Sequence, residues 1–247
     1  MSDRERQPRF VTDTHSHTIA SGHAYNTVEE MAKAAADRGL LALAITDHGP
    51  KMPGSCDAMY FRNFKIIDRF RYGVELLMGC ELNIMDYDGT LDLSEKDFQQ
   101  LDITIASIHT ICYTVGTKAE NMRAYRKAME NPLVDIIGHP DDGRVPVDYE
   151  ELVRCAKETG KLLELNNSSL DPKNARENGY ENMKRMLGFC EKYGVSVTLG
   201  SDAHFCDRAG CFDDVQALLT EIRFPEELVV STSVEKLKSR LHRFASL

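Results

Sequence analysis

Short runs of apolar, β-branched residues recur along the chain and alternate with longer segments of helical patterning. Seven of these runs predict strands, at residues 10–15, 40–46, 75–83, 103–109, 134–139, 162–166 and 195–201. The runs LLALAIT, ITIASIH, VDIIGH and VSVTLGS are continuously apolar, which is typical of parallel strands buried on both faces. The pattern therefore predicts a parallel sheet covered by helices.

The intervening segments carry recognisable helix ends. Thr27 and Glu30 form a capping-box pattern before a helix that Gly39 would end, and Asp148 precedes a helix that Gly160 would end. Further helices are predicted at residues 58–70, 118–130, 180–193, 213–222 and 234–244. Because strand and helix alternate without a linker or repeat, we expect one α/β domain with a barrel-like parallel sheet over residues 10–247, preceded by an N-terminal extension at residues 1–9.

Composition and charge narrow the functional classes. Apolar residues make up 42% and charged residues 28% of the 247 residues, as in ordinary globular proteins. No apolar run is long enough to cross a membrane, and the first ten residues lack a secretion signal, so a cytoplasmic location without membrane partners is expected. A net charge of −9 argues against nucleic acid as a partner, but bound divalent cations would still allow a small anionic substrate.

Histidines are concentrated at the predicted strand ends. Seven of the eight histidines lie at or just after the C-terminal end of a strand, and His242 is the exception. In a parallel barrel these ends meet on the face that carries active sites. The seven histidines are His15, His17, His23, His48, His109, His139 and His204.

Two carboxylates accompany these histidines. Glu81 is the single carboxylate of an apolar strand end and needs either a cation or a structural salt bridge, while Asp202 lies two residues before His204. With the seven imidazoles they make nine candidate ligands, too many for one tetrahedral zinc and suited to two or three divalent metal ions.

These motifs, in this order, resemble the PHP (polymerase and histidinol phosphatase) family, and most closely its stand-alone bacterial phosphatases. The resemblance covers residues 10–244 and rests on H-x-H, T-D-H-G, the strand-end glutamate, I-H, G-H-P and G-S-D-x-H, together with HAYNT, LELNNSS and LGSDAH. It implies a distorted seven-stranded (βα)7 TIM-like barrel, with parallel strands and outer helices, and a site for three divalent metal ions.

The resemblance also implies a division of the ligands. The first ion would be held by His15, His17, Glu81 and Asp202, the second by Glu81, His109 and His139, and the third by His23, His48 and His204. Glu81, Asp202 and His204 would be catalytic. Zinc is the expected metal, with manganese or iron as alternatives. A metal-activated hydroxide would then hydrolyse a small phosphorylated metabolite, and a homo-oligomer is expected.

The predicted roles of residues around the ligands are less specific. Asp13 and Asp47 are predicted to orient imidazoles. Candidate substrate contacts are Lys118, Arg144, Arg176 and Asn166. Three alternatives stay open: a histidinol-phosphate phosphatase, a nuclease-like phosphodiesterase, and a non-enzymatic metal-binding interaction module.

Overall fold

Seven parallel strands curve into a nearly closed barrel in the computed structural model, which describes residues 10–244. They pair in the order β1-β2-β4-β5-β6-β7-β8, and β3 pairs antiparallel with β4. The predicted N-terminal extension lies outside the described residues. The strands are β1 Thr12–Asp13, β2 Ala42–Ile45, β3 Phe70–Arg71, β4 Val74–Asn83, β5 Ile103–Ser107, β6 Ile136–Ile137, β7 Leu162–Asn166 and β8 Val197–Gly200.

The first and last strands close the barrel. Thr14 N donates to Leu199 O at 3.1 Å, and Ser16 forms a parallel bridge with Ala203. Two of the seven barrel strands, β1 and β6, contain only two residues each, which makes the barrel irregular. The expected distorted seven-stranded (βα)7 barrel is thereby confirmed.

Helices follow the strands largely as predicted. Thr27 and Glu30 form the predicted capping box, and Asp148 caps α5 through the Glu151 amide. None of the helices within residues 10–244 is long and apolar enough to cross a membrane. The helices are α1 Val28–Arg38, α2 Ala58–Arg62, α3 Glu95–Phe98, α4 Lys118–Glu130, α5 Tyr149–Thr159, α6 Gly179–Tyr193, α7 Asp213–Glu221 and α8 Val234–Lys238.

The helix predicted at residues 58–70 is wrong in its second half. After α2 the chain forms a short 3₁₀ turn at Phe64–Ile66 and then enters β3. Tyr72 and Gly73 both have positive φ angles, of 52° and 81°, as required for the tight turn that joins β3 to β4. The tight hairpin, which extends the sheet through its pairing with β4, replaces the last turn of the predicted helix.

The C-terminal segment closes the N-terminal end of the barrel, which we call the floor. Leu237 and Leu241 pack with Ile103, Ile136 and Leu162 in the barrel interior. Its polar groups bind residues at strand starts: Lys238 Nζ donates to Glu75 Oε1 at 2.6 Å, and His242 N donates to Asp135 Oδ1 at 2.7 Å. The helix predicted at 234–244 is therefore shorter than expected and seals the floor. The opposite end, the mouth, remains open to carry a site.

Candidate metal centre

All seven strand-end histidines converge at the mouth. His15 and His17 approach with Nε2 atoms 3.0 Å apart, and His23 and His48 approach with Nε2 atoms 3.2 Å apart. The His17 ring lies between its neighbours, with ring centroids 4.2 Å from His48 and 4.3 Å from His204. The barrel thus brings together side chains from loops that are far apart in sequence. The positions of the histidines at the strand ends predicted this.

Glu81 lies at the centre of this cluster and is fully buried. Its Oε1 is 2.8 Å from His139 Nε2 and 3.1 Å from His109 Nε2. Its Oε2 is 2.6 Å from His48 Nδ1 and 3.3 Å from His15 Nε2. With His17 Nε2 3.6 Å from Oε2, one carboxylate faces five imidazoles, an arrangement suited to bridging two cations.

Asp202 forms a second carboxylate centre. Its Oδ1 is 3.1 Å from His17 Nε2 and 3.7 Å from His15 Nε2. Its Oδ2 accepts from Arg176 Nη2 at 2.8 Å and from Asn166 Nδ2 at 3.2 Å. Asp202 has a φ of 55°, an uncommon backbone conformation for a non-glycine residue that surrounding contacts must maintain.

Hydrogen-bond logic tests whether these residues fit metal ions. Ser21 Oγ donates to Asp47 Oδ1 at 2.7 Å, so it must accept from His17 Nδ1, 3.0 Å away. His15 Nδ1 donates to Glu164 Oε1 at 2.6 Å. In neutral rings the two Nε2 atoms then present lone pairs to each other at 3.0 Å, which requires a shared cation or a proton. The Nε2 atoms of His15 and His17 are therefore suited to bind one metal ion together.

Glu81 adds a second indication of metal binding. Its buried Oε2 has no hydrogen-bond donor among the described residues, although His48 Nδ1 lies 2.6 Å away. Unpaired buried carboxylate oxygens are costly, and a cation would satisfy this one. Three sets have donor atoms within 4.8 Å of one another: His15, His17 and Asp202; His48, Glu81 and His109; and His17, His48 and His204.

The electrostatic balance keeps both carboxylates ionised. Burial opposes ionisation of Glu81, but His109, His15 and His48 outweigh it and hold its pKa well below the usual range. Burial likewise opposes ionisation of Asp202, and His15 with Arg176 holds its pKa well below the usual range. Two buried anionic groups thus face the nitrogen-rich centre, as cation binding requires.

The pKa values of the paired histidines move in opposite directions. Burial lowers the pKa of His15, but the carboxylates Glu164, Glu81 and Asp202 outweigh it and raise that pKa well above the usual range. Burial and the neighbouring His48 and His204 push the pKa of His17 well below it. A metal ion at this pair would therefore compete with a proton on His15.

Glu164 is a site residue that the sequence analysis missed. Its Oε1 accepts from His15 Nδ1 at 2.6 Å, and its Oε2 accepts from His139 N at 2.7 Å. A Cβ on Gly200 would lie 2.0 Å from Glu164 Oε1, so a side chain at that position would displace the carboxylate. The available signal was the one used for Glu81, a single carboxylate within the apolar run LLELN.

Further contacts orient other imidazoles, but the predicted role of Asp13 has to be corrected. His109 Nδ1 is 2.7 Å from Asn83 Oδ1, which fixes the ring through its second nitrogen. Asp47 reaches His17 only through Ser21. The expected imidazole contact of Asp13 is wrong, because that carboxylate accepts from the backbone amides of His15, Ser201 and Gly210.

The predicted substrate contacts lie in different surroundings. Arg144 and Arg176 line one cavity of about 190 Å³ with the candidate ligands His109 and His139. Arg144 also pairs with Asp142 at 2.6 Å. Asn166 contacts Asp202, as described above. Lys118 is exposed at the start of α4 and is not among the residues that line this cavity.

Comparisons with known proteins agree with this architecture. Residues 13–173 match the PHP domain model. A protein of Clostridium novyi named "Probable phosphatase" is 47% identical, with 94% of this chain and 95% of the relative covered. A second "Probable phosphatase", from Acetivibrio thermocellus, is 46% identical over 95% of this chain and 96% of the relative.

Solved structures extend the comparison to the fold alone. Histidinol phosphate phosphatase from Lactococcus lactis, solved with zinc, L-histidinol and phosphate, has a TM-score of 0.57 and 21% identity, covering 89% of this chain and 94% of the other. A chain of an archaeal ribonuclease P complex has a TM-score of 0.62 and 18% identity, covering 93% of this chain and 90% of the other. From the family-model match and the relatives at 46–47% identity, this chain belongs to the PHP domain family.

Proposed function

We propose that this chain hydrolyses a small phosphorylated metabolite at a site for three divalent metal ions. Hydrolysis of phosphoric esters follows from the PHP family and from the phosphatases that it resembles at 46–47% identity. The observation that carries the metal proposal is the convergence of six imidazoles on Glu81 and Asp202 at the barrel mouth, with the seventh, His23, beside His48 and His204.

The proposed ligand sets follow the three groups of close donor atoms in part, since none of those groups contains His23 or His139. His15, His17 and Asp202 lie close enough to hold a first ion together with Glu81, whose Oε2 is 3.6 Å from His17 Nε2. Glu81, His109 and His139 would hold a second. His23, His48 and His204 would hold a third, and the nearness of His48 to Glu81 means that the last two sets adjoin.

Divalent cations, when bound, neutralise charge on phosphoryl oxygens and make water a stronger acid, and zinc, manganese or iron suits these nitrogen and oxygen donors. Glu81, Asp202 and His204 are proposed as catalytic because the ions depend on them.

Arg144 and Arg176 would bind phosphate oxygens, since both line the cavity beside His109 and His139. Asn166 would hold Asp202 and Arg176 in place, and it contacts both. Lys118 remains a more distant candidate contact.

Metal reconstitution with an activity screen tests the proposal. Chain freed of metal by chelation and then loaded with zinc, manganese or iron should bind about three ions per chain, as the nine ligands predict. It should then release phosphate from an aryl phosphate and from some members of a panel of phosphorylated metabolites. Bound ions without turnover on any ester would favour the interaction module instead.

The same screen separates the remaining alternatives. Histidinol phosphate belongs in the panel because the Lactococcus lactis neighbour was solved with L-histidinol and phosphate. Single-stranded oligonucleotides test the nuclease reading, which the net charge of −9 disfavours. The cytoplasmic location, the single domain over residues 10–247 and a homo-oligomer are further proposals, tested by cell fractionation, limited proteolysis and light scattering.

A further inference from the structure

A second cavity adjoins the candidate metal centre. Its volume is about 360 Å³, within the range typical of small-molecule sites. Asp202 and His204 form one of its walls, and it shares no lining residue with the cavity that contains Arg144 and Arg176. The rest of the lining includes Tyr25, Phe205, Asn167, Asp171, Arg208 and Asp214.

Two exposed aromatic side chains line this cavity. Tyr25 is 72% exposed and Phe205 is 49% exposed. Both lie next to the candidate metal ligand His204, because Tyr25 N donates to His204 O at 3.1 Å and Phe205 follows His204 directly in the chain. Large aromatic rings in water gain free energy when another apolar surface covers them, and they prefer planar rings. This part of the cavity therefore suits a planar organic group.

The polar wall of the cavity is rich in carboxylates. Asn167 Nδ2 lies 3.5 Å from Asp214 Oδ2, and Asp171 lies 4.0 Å from the exposed guanidinium of Arg208. Carboxylates accept hydrogen bonds from hydroxyl groups, as in the recognition of ribose by nucleotide-binding folds. They repel further anionic groups. Arg208 also lines the cavity and offsets part of this negative charge, and the carboxylates make the wall suitable for a group with several hydroxyls.

The two cavities thus offer different chemistry on either side of the metal ligands. Two guanidinium groups lie beside His109 and His139 in the first cavity, whereas the second cavity combines two aromatic rings and several carboxylates with one guanidinium, that of Arg208. We propose that the second cavity binds the leaving alcohol of the substrate and that this alcohol is nucleoside-like, with a planar ring and sugar hydroxyls. This inference rests on the phosphatase function proposed above.

Paired substrates test the role of the ring. Adenosine 5′-monophosphate and ribose 5-phosphate carry the same type of ester, and one water converts them to phosphate plus adenosine or ribose. With the metal-loaded chain, kcat/KM should be about tenfold or more higher for adenosine 5′-monophosphate, since stacking on aromatic side chains favours the base by this order. The double variant Y25A/F205A should lose this preference through a higher KM, while ribose 5-phosphate turnover stays the same.

Matched variants make the test specific. F205W should keep the preference because it retains an aromatic face. F70A removes an aromatic side chain that is 61% exposed on β3, away from the cavity lining, and should change neither substrate. D171N should raise KM for both sugar-containing substrates but not for a simple alkyl phosphate.

Two results would overturn the inference while leaving the phosphatase function intact. One is equal kcat/KM for the two sugar phosphates in the native chain. The other is an equal loss for both in Y25A/F205A at native metal content. If the native chain hydrolyses neither these esters nor the aryl phosphate, the proposed function itself fails, and the two failures are thereby distinguished.

Discussion

Both ends of the barrel bury a histidine against a carboxylate, but they use the carboxylates differently. At the floor, Asp135 accepts from Thr104 N at 2.9 Å, from His242 N at 2.7 Å and from His242 Nδ1 at 3.0 Å. At the mouth, Glu81 faces five imidazoles, and its Oε2 has no hydrogen-bond donor among the described residues. Local donors thus satisfy the floor carboxylate, whereas the mouth carboxylate keeps an oxygen that a cation would satisfy.

This difference means that the floor contributes mainly to the stability of the barrel, and the mouth mainly to its function. Satisfied polar groups at the floor fix α8 over the barrel interior, where Leu237 and Leu241 complete a core. Unsatisfied groups at the mouth cost stability unless a ligand pairs with them. Changes at the mouth should therefore act on metal binding and turnover, and changes at the floor should act on the free energy of unfolding.

The largest effect is expected from Glu81→Ala. Removing the carboxylate that faces five imidazoles should abolish metal binding at native stoichiometry and reduce phosphate release to background, measured by metal analysis and a phosphate assay. Glu75→Ala is the matched control, because Glu75 lies on the same strand at the floor and pairs with Lys238. Full activity in Glu81→Ala would contradict the metal assignment. Asp202→Ala should behave as Glu81→Ala does.

Leu241→Ala should give the largest effect at the floor. The side chain is fully buried in the barrel interior, so its truncation leaves a cavity and should lower the free energy of unfolding by about 2–4 kcal/mol. Urea denaturation measures this loss, and metal content and kcat should stay native. Leu41→Ala, at a leucine that is 53% exposed, should cost less than about 0.5 kcal/mol. Loss of metal from folded Leu241→Ala would show that the two ends are coupled.

Glu164→Gln should weaken the site without removing it. The amide cannot accept from both His15 Nδ1 and His139 N as the carboxylate does, so metal affinity or kcat should fall about 10–100-fold. Competition with a chelator measures affinity separately from turnover. The exposed substitution Glu151→Gln serves as control. A native zinc affinity together with native kcat would remove Glu164 from the positioning of His15.

His242→Ala should have the smallest effect. It removes the Nδ1 contact with Asp135 but keeps the backbone donors, so about 1–2 kcal/mol of unfolding free energy should be lost. Although His242 is one of eight histidines, metal content and phosphate release should not change. Reduced metal content in the folded variant would contradict the claim that the floor affects stability but not metal binding.

Local patterns in the sequence were sufficient for most of the barrel. Continuous apolar runs predicted all seven parallel strands, and capping residues such as Thr27 and Asp148 predicted where helices begin. Strand-end positions also indicated that the seven histidines would meet, because parallel strands share one direction. These features depend on spacing along the chain, which a sequence displays directly.

Tertiary structure alone decided the contacts between distant segments. His15 meets Glu164 across 149 positions, and α8 reaches strand starts to seal the floor, although its own pattern resembles that of an outer helix. The helix predicted at residues 58–70 ended early because β3 pairs with β4, which itself belongs to the barrel sheet through its pairing with β2 and β5. The sequence by itself determined which residues lie at the mouth. Only folding determined which of them share a proton, a carboxylate or a metal ion, since those relations depend on distances of a few ångströms between separate strands.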